Sequence, residues 1–396
     1  MKTKRLRALI CAVLAAMMTL PALSCAKEEA EPVPAGQAEM PAAEAQKTDD
    51  EENPAEEAQD APADAETEPE TARDTDLHDE RVTPPESGML EVEKNMFLAK
   101  VGDCGFSAFL AGGGASSDAD VVAFLTAHLS VPGLDFAQIG AGCSTVTAQS
   151  ADGGHVFGRN FDWSSAQVLI LETHPSDGYA SFSTVNLDFL RESARLPGEA
   201  IPMAAYYAPL DGMIEKGLAV SVNMISDTAR IAQSTDKPDL TTTTALRLLL
   251  DRAATVDEAL ALLESYDLHG SYDMMIHFAV ADLTGRAVDV EYVGQEMVVI
   301  ETPILTNFYL AEGEKHGIGS EESHRRFDAL EAFMAEHETA DIYDVRDALM
   351  TARESAFDPD PSEGTEWSVL YDQTNLTATW YRREKFDAGW TVELGK

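Results

Sequence analysis

The chain has 396 residues and a formal net charge of −42, from 28 Lys and Arg against 70 Asp and Glu. So acidic a balance repels phosphate backbones, and no basic patch with interleaved aromatic residues is present, so nucleic acid is not an expected partner. The length suits one large domain or two modest ones, but the first fifth of the chain does not have a globular composition.

Residues 1–24 have the pattern of a secretory signal peptide, with a basic start, an apolar run over 6–20 and small residues before Cys25. A small residue directly before a Cys, with Leu23 one position earlier, also resembles the lipobox of bacterial lipoproteins. We therefore predict an extracytoplasmic lipoprotein that acyl chains on Cys25 anchor to a bacterial membrane, since two chains bind a bilayer far more firmly than one. Ordinary secretion with cleavage nearby is the alternative.

Residues 25–87 are predicted to contain the lipidated Cys followed by a disordered acidic linker. Residues 26–80 carry 20 acidic and 3 basic side chains and almost no aliphatic or aromatic ones. Such a segment cannot bury enough apolar surface to offset the entropy of ordering it. We expect it to hold the folded part away from the membrane.

Residues 88–142 are interpreted as an N-terminal prosegment. Their pattern predicts helix-like and turn-like pieces at 91–101, 105–110, 112–114 and 118–129. The segment is too small to form a stable domain alone. It ends in a Gly-Ala-Gly run, directly before Cys143.

A hairpin is predicted next, with one strand beginning at Cys143 and a returning strand that ends at Trp163. If Asp152 and Gly153 occupy the centre of a two-residue turn, Cys143 lies opposite Asp162. On that register a thiol and a carboxylate meet at the open end of the hairpin.

Arg159 raises a difficulty for this hairpin, because residues 159 and 162 differ in parity and face opposite sides of a regular strand. The sequence therefore predicts either a bulge at Gly158 or Asn160, or a position for Arg159 on the other face.

The chain from 143 to 396 is interpreted as one catalytic domain. Its periodicities predict further strands and helices in separate blocks, which favours an α+β fold of antiparallel sheets with helices packed outside. The strands are expected at 168–173, 179–187, 217–225, 274–282, 287–293, 297–301, 304–306, 368–371, 377–382 and 390–394, and the helices at 242–253, 255–265, 321–336 and 341–351. No transmembrane span or internal repeat follows the signal.

Cys104 and Cys143 are the cysteines that remain once the signal and Cys25 are set aside. In an exported protein two such cysteines could form a disulfide. The alternative is cleavage between Gly142 and Cys143, which places a new α-amine, with an unperturbed pKa of about 8, on the same residue as the thiol. Gly142 suits this cleavage because Gly tolerates the strained backbone that attack on its own carbonyl requires.

Three further side chains are candidates for the same site. Asp162 can bind the α-amine, and Arg159 can favour the thiolate by its charge. Asn223, near the end of an apolar strand, is either an oxyanion donor or a polar strand end. Asp188 and Asp211 are interpreted as turn or cap positions.

In their order and spacing, several motifs resemble the choloylglycine hydrolase family, which includes bile salt hydrolases and penicillin V acylases and belongs to the N-terminal-nucleophile hydrolases. The resemblance covers essentially all of 143–396. Its motifs are G-C-S-T at 142–145, D-G-G-H-V-F-G-R-N-F-D-W at 152–163, D-G-M-I-E-K-G-L-A-V-S-V-N at 211–223, L-T-N at 305–307, S-H-R-R-F at 323–327 and T-E-W-S-V-L-Y-D at 365–372.

The resemblance implies a four-layer αββα sandwich and a set of site residues. These are Cys143 as nucleophile, Arg159 and Asp162 beside it, Asn223 and Asn307 near the oxyanion, and Arg326 as a further active-site charge. Two departures are visible: Ile214 stands where the family usually has Asn, and Phe308-Tyr309 replaces the usual Asn-Pro.

The resulting hypothesis is an autoproteolytic cysteine hydrolase that cuts a linear amide of an N-acyl compound such as a conjugated bile salt, penicillin V or an N-acyl amino acid. The alternatives are an acyltransferase of the same fold and a non-catalytic, lipid-anchored binding protein with a Cys104–Cys143 disulfide. No cofactor and no metal are expected, because the histidines lack metal-ligand spacing and are interpreted as surface or core residues. Those histidines are His155, His174, His269, His277, His316 and His324.

Overall fold

The computed structural model describes residues 78–128, 134–136, 142–192, 200–355 and 364–395. The predicted signal, Cys25 and the linker up to residue 77 lie outside the described residues. The prediction of disorder is wrong for the end of the linker, where Glu80 and Arg81 pair with Trp390 and Thr391. Among the described residues, no helix is long and apolar enough to cross a lipid bilayer.

The described residues form seven α-helices and twenty strands. The helices are α1 (Phe106–Ala111), α2 (Asp118–His128), α3 (Ala200–Ala205), α4 (Thr242–Arg252), α5 (Val256–Glu264), α6 (Glu321–Glu336) and α7 (Ile342–Thr351). The strands are β1 (Glu80–Arg81), β2 (Met89–Glu93), β3 (Met96–Val101), β4 (Leu134–Phe136), β5 (Gly142–Gln149), β6 (His155–Trp163), β7 (Val168–Thr173), β8 (Ser181–Asn186), β9 (Leu190–Glu192), β10 (Asp211–Ile214), β11 (Ala219–Ile225), β12 (Asp239–Thr241), β13 (Asp267–His269), β14 (Met275–Ala281), β15 (Ala287–Val293), β16 (Glu296–Glu301), β17 (Ile304–Leu305), β18 (Gly364–Asp372), β19 (Thr377–Arg382) and β20 (Trp390–Glu393).

Two large sheets face each other. A seven-stranded sheet has the order β1-β20-β19-β18-β6-β5-β17, and a nine-stranded sheet has the order β16-β15-β14-β11-β10-β8-β7-β3-β2. All neighbours in them are antiparallel except the pairs β1–β20 and β3–β7. Helices α6 and α7 contact the seven-stranded sheet, and α4 and α5 contact the nine-stranded sheet. The layers are therefore helix, sheet, sheet and helix, as predicted.

Most strands are buried on both faces, because each sheet lies between the other sheet and a helix layer. All six residues of β7 are buried. On β5 the residues alternate: Val146 and Ala148 pack in the core under α6 and α7, whereas Cys143 belongs to the core shared by the two sheets. This alternation decides which partners reach the thiol.

The interpretation of residues 91–101 as helix-like or turn-like is wrong. They belong to the hairpin of β2 and β3, which closes through Lys94 and Asn95, with Asn95 at φ 62°. Strand β3 then pairs in parallel with β7, and its residues Met96, Leu98 and Ala99 are completely buried. This segment is thus part of the nine-stranded sheet.

Candidate active site

The hairpin that carries Cys143 has a three-residue loop, so its predicted register is wrong by one residue. Ser150 N donates to Gly154 O over 2.9 Å, Gly153 N donates to Ser150 O over 2.9 Å, and Gly153 has φ 86°. This is a type I turn followed by a left-handed glycine. Cys143 consequently lies opposite Phe161, and Gly142 lies opposite Asp162.

The observed register removes the difficulty over parity. Arg159 pairs with Thr145, and directly opposed residues of an antiparallel pair point to the same face, so Arg159 and Cys143 both face the nine-stranded sheet. Asp162 faces the helix layer instead. The pairing of β5 with β6 is continuous and contains no bulge. The two charged residues approach Cys143 from opposite sides of the strand.

Arg159 is fixed in a buried network on the thiol side. Its Nη2 donates to Cys143 Sγ over 3.4 Å and to Val222 O over 2.6 Å. Its Nη1 donates to Leu210 O over 2.9 Å and forms an ion pair with Asp211. The guanidinium is therefore held against the sulfur by the strands of the opposite sheet.

Asp211 anchors this network, so its interpretation as a turn or cap position is wrong. It begins β10, is completely buried, and accepts hydrogen bonds from Tyr371 Oη over 2.6 Å and Trp367 Nε1 over 3.3 Å. The apolar residues Leu210, Met213 and Ile214 around Asp211 are typical of a buried strand. Asp188, by contrast, does lie in a capped 3₁₀ turn, where Asn186 accepts from its N–H.

Burial and the neighbouring charges have opposing effects on the pKa of the Cys143 thiol. Burial raises the pKa of Cys143, the Arg159 charge lowers it, and the Asp162 carboxylate raises it. The net direction is upward, and the side chain is only 3% exposed. In the uncut chain the thiol is therefore largely protonated at neutral pH and closed to a bulky substrate.

The backbone nitrogen of Cys143 faces a second polar group. It donates to Asn307 Oδ1 over 2.6 Å, and Arg326 Nη2 donates to the same oxygen over 2.8 Å. Arg326 also donates to Cys143 O and, over 2.9 Å, to Ser144 Oγ. Asn307 N in turn donates to Ser323 Oγ over 2.7 Å, a partner that the sequence analysis did not identify.

Asp162 completes this side of the strand. Its Oδ1 accepts from Thr365 Oγ1 over 2.6 Å, and its Oδ2 lies 3.4 Å from Arg326 Nη1. Burial raises the pKa of Asp162, and the charge of Arg326 opposes that rise. Oδ2 is buried and has no hydrogen-bond partner among the described residues. A buried carboxylate oxygen in this state is well placed to accept from an added cationic donor.

Asn223 contacts the neighbours of Cys143 and Asn307. Its Nδ2 donates to Thr306 O over 3.1 Å, and its Oδ1 accepts from Thr145 Oγ1 over 3.4 Å. Asn307 Nδ2 donates to Met224 O over 2.6 Å. Both amide groups are thus bonded to backbone carbonyls, and it is the carbonyl oxygen of Asn307 that points to Cys143.

Gly142 occupies a position that admits no side chain. A Cβ added there would lie 2.9 Å from Arg326 Nη2 and 3.2 Å from Asp162 Oδ2. The residue before the thiol is therefore packed directly against the two charged groups of the site.

The two described cysteines are both free, so the disulfide alternative is wrong. Cys104 is buried, its backbone carbonyl accepts from Tyr207 Oη over 2.9 Å, and its Sγ contacts Gly102 O at 3.8 Å. The fold brings together the six predicted site residues and leaves Cys104 elsewhere.

The family described as linear amide C-N hydrolases, choloylglycine hydrolase family, matches residues 143–308. Comparison with curated protein sequences gives no match. Two similar solved structures are a mutant of the conjugated bile acid hydrolase from Clostridium perfringens and the penicillin V acylase from Agrobacterium tumefaciens. The first is 15% identical over 64% of this chain and 96% of that chain, with a TM-score of 0.46. The second is 17% identical over 61% of this chain and 83% of that chain, with a TM-score of 0.45.

Proposed function

We propose that the protein hydrolyses the amide of an N-acyl compound with Cys143 as its nucleophile, since residues 143–308 match the family described as linear amide C-N hydrolases, choloylglycine hydrolase family. One observation carries the proposal. Cys143 has a guanidinium 3.4 Å from its sulfur on one side of the strand and, on the other side, Asn307 Oδ1, which accepts from its backbone nitrogen over 2.6 Å.

The same arrangement supports self-cleavage at the Gly142–Cys143 bond. The thiol adds to the Gly142 carbonyl, the peptide C–N bond breaks, and water hydrolyses the resulting thioester to leave a free α-amine on Cys143. Loss of Gly142 vacates the space beside Asp162 Oδ2, where an α-ammonium group can supply the missing donor. Asn307 Oδ1 already accepts from this nitrogen.

In turnover, the α-amine and the thiol act as a pair on one residue. With an unperturbed pKa of about 8, the amine accepts the thiol proton near neutrality. The thiolate attacks the amide carbon, the amine portion of the substrate leaves, and water guided by the α-amine hydrolyses the thioester. Arg159 stabilises the thiolate, and Arg326 holds the Cys143 carbonyl in place.

The proposed setting is the extracytoplasmic face of a bacterial membrane, with the chain anchored through Cys25. Its Ser24-Cys25 junction and the acidic linker that follows support this location. The proposed substrates are small N-acyl amides, such as conjugated bile salts, penicillin V and N-acyl amino acids.

Intact mass spectrometry combined with a substrate panel tests this function. We expect a fragment that begins at Cys143, and release of free acid and free amine from at least one conjugated bile salt, penicillin V, N-acyl amino acid or N-acyl ethanolamine. A parallel reaction with added glycine as acceptor distinguishes hydrolysis from acyl transfer by its product. An uncut chain with no activity on any of the four classes would contradict the proposal.

After cleavage, we expect the N-terminal segment to stay bound, because β3 is paired with β7 along its whole length and Leu98 is completely buried. The two fragments should elute together in native size exclusion and separate in denaturant. Leu98→Asp should abolish this association, since it buries an unpaired charge.

The matched control is Leu90→Asp. Leu90 lies directly opposite Leu98 in the β2–β3 pair but is 44% exposed, so this variant should keep the two fragments together. If the wild-type fragments separate in native buffer, the segment is not an integral part of the mature fold.

A further inference from the structure

A buried cluster of three potential metal ligands lies on the nine-stranded sheet, near the candidate active site. His277 on β14 and Asp289 and Glu291 on β15 are all completely buried, and their ligand atoms lie within 4.8 Å of one another. His277 is paired with Asn223 on β11, and Asp289 is paired with Ala279, two residues after His277. The cluster therefore points to the same inter-sheet face as Asn223.

The hydrogen bond of the His277 ring fixes which nitrogen faces the carboxylates. Nε2 lies 2.9 Å from Thr306 O, and a carbonyl oxygen only accepts, so Nε2 carries the proton. In the neutral ring Nδ1 then presents a lone pair to Asp289 and Glu291. An imidazole that donates its other N–H to a backbone carbonyl is the usual arrangement of a metal-bound His.

The distances inside the cluster are longer than direct hydrogen bonds. His277 Nδ1 lies 3.3 Å from Asp289 Oδ1 and 3.6 Å from Glu291 Oε1. Hydrogen bonds from N–H to O are about 2.7–3.2 Å. Ligands placed about 2.0–2.1 Å from a tetrahedral ion are separated by roughly 3.3 Å. The spacing thus leaves room for an ion between the three atoms.

The polar atoms also need a positive charge. Neither Nδ1 of His277 nor either oxygen of Asp289 has a hydrogen-bond partner among the described residues. Two buried carboxylates carry two negative charges, which are costly in a buried site, and a proton on His277 offsets only one of them. A divalent cation would neutralise both charges and would be bound by His277 Nδ1, one oxygen of Asp289 and one oxygen of Glu291.

From this geometry we propose that His277, Asp289 and Glu291 bind a divalent transition-metal ion, and we take Zn²⁺ as the ion that suits one imidazole and two carboxylates at this spacing. The sequence shows no metal-ligand spacing because the three residues meet across two strands. The ion has a structural and positioning role, since it does not contact Cys143.

The cluster holds the chain segment that carries Asn307. His277 donates to Thr306 O, and Glu291 accepts from the N–H groups of Leu310 and Ala311. Thr306 O also accepts from Asn223 Nδ2. A bound ion would therefore fix the backbone on both sides of Asn307, which accepts from Cys143 N.

Metal analysis of the full-length wild-type protein tests this site directly. Protein purified without chelators should contain about one Zn²⁺ per chain after dialysis against metal-free buffer. Protein unfolded with EDTA and refolded without metal should regain a Tm higher by about 5 °C when Zn²⁺ is added. Refolding with Mn²⁺ instead of Zn²⁺ tests the choice of metal.

Asp289→Asn should lower the metal content at least tenfold, whereas Glu296→Gln, at an exposed acid of the neighbouring strand, should retain it. If the Asp289 variant does not fold, the Zn²⁺ content of the wild-type protein and its refolding with and without metal still show whether the site binds an ion. A metal content below about 0.1 per chain, with no change of Tm on adding Zn²⁺ or Mn²⁺, would overturn the proposal. In that case a proton on Nδ1 offsets one of the two charges instead. This readout does not depend on self-cleavage or on amide hydrolysis.

Discussion

Cys143→Ala should yield an uncut chain with no measurable amide hydrolysis, a loss of at least about 10⁴-fold. The variant removes the thiol that attacks the Gly142 carbonyl, so the α-amine is never released. It also removes the nucleophile of turnover, so no other group on the site can substitute. Intact mass after purification and initial rates on the best amide of the panel measure the two losses separately.

The other described cysteine provides a matched control. Cys104 is as buried as Cys143 and equally free, but its carbonyl accepts from Tyr207 Oη, whereas that of Cys143 accepts from Arg326. Cys104→Ala should therefore be cleaved and active, with at most a modest loss of stability. Hydrolysis retained in Cys143→Ala would exclude Cys143 as the nucleophile. Loss in both variants alike would show that removing a buried thiol damages the fold, so that the loss in Cys143→Ala does not identify the nucleophile.

Cys143→Ser tests whether self-cleavage requires the thiol itself. A hydroxyl resembles the thiol in geometry but has a much higher pKa, so it is a weaker nucleophile at neutral pH. We expect slow or absent cleavage in this variant. Its fold should be unchanged, since Ser is close in volume to Cys.

Much of the fold could be predicted from sequence because the apolar periodicity of the elements is clear. The boundaries predicted for β7, β15, α6 and β19 agree with the observed ones to the residue. Thr255 caps α5 by accepting from Glu258 N, as its capping pattern indicates, but the Glu258 carboxylate bonds Ala254 N rather than Thr255 N. Local patterns such as these are encoded within a few neighbouring residues.

The hairpin register could not be decided from its turn residues. The pair Asp152-Gly153 is compatible with a two-residue loop and with a three-residue loop in which the glycine is left-handed. The structure adopts the second, which moves Arg159 to the face of the thiol and Asp162 to the opposite face. One residue of register therefore changed the interpretation of both candidates.

The strands β2 and β3 were missed because the segment 91–101 mixes charged and apolar residues and its turn lacks Gly and Pro. Asn95 takes the left-handed conformation that the turn requires. The long-range contacts of Asp211 with Arg159 and of His277 with Asp289 were equally invisible. Each joins residues on different strands, and the sequence does not state which strands become neighbours.

Replacing Arg159 with Leu should lower the rate at pH 7 by about 100-fold or more and move the rising limb of the pH–rate profile to higher pH. The charge of Arg159 lowers the pKa of the Cys143 thiol, so its removal raises that pKa and leaves less thiolate at any given pH. The measurement is kcat/KM as a function of pH on the cleaved protein. If kcat/KM rises at the same pH as in the wild-type protein, Arg159 does not stabilise the thiolate.

The partner of Arg159 allows catalysis to be separated from stability. Arg159→Leu leaves the Asp211 carboxylate buried without its ion pair, which is expected to destabilise the fold by about 3–5 kcal/mol. The double variant Arg159→Leu with Asp211→Asn removes that uncompensated charge, so it should regain much of the lost stability while its pH limb stays shifted. Arg247→Leu provides the control, because Arg247 is another fully buried arginine, paired with Asp251 over 2.7 Å on α4. Arg247→Leu should lose stability and keep the wild-type pH–rate profile. If the rising limb of its profile also moves to higher pH, the shift in Arg159→Leu reflects a general destabilisation of the fold and not the loss of the charge beside Cys143.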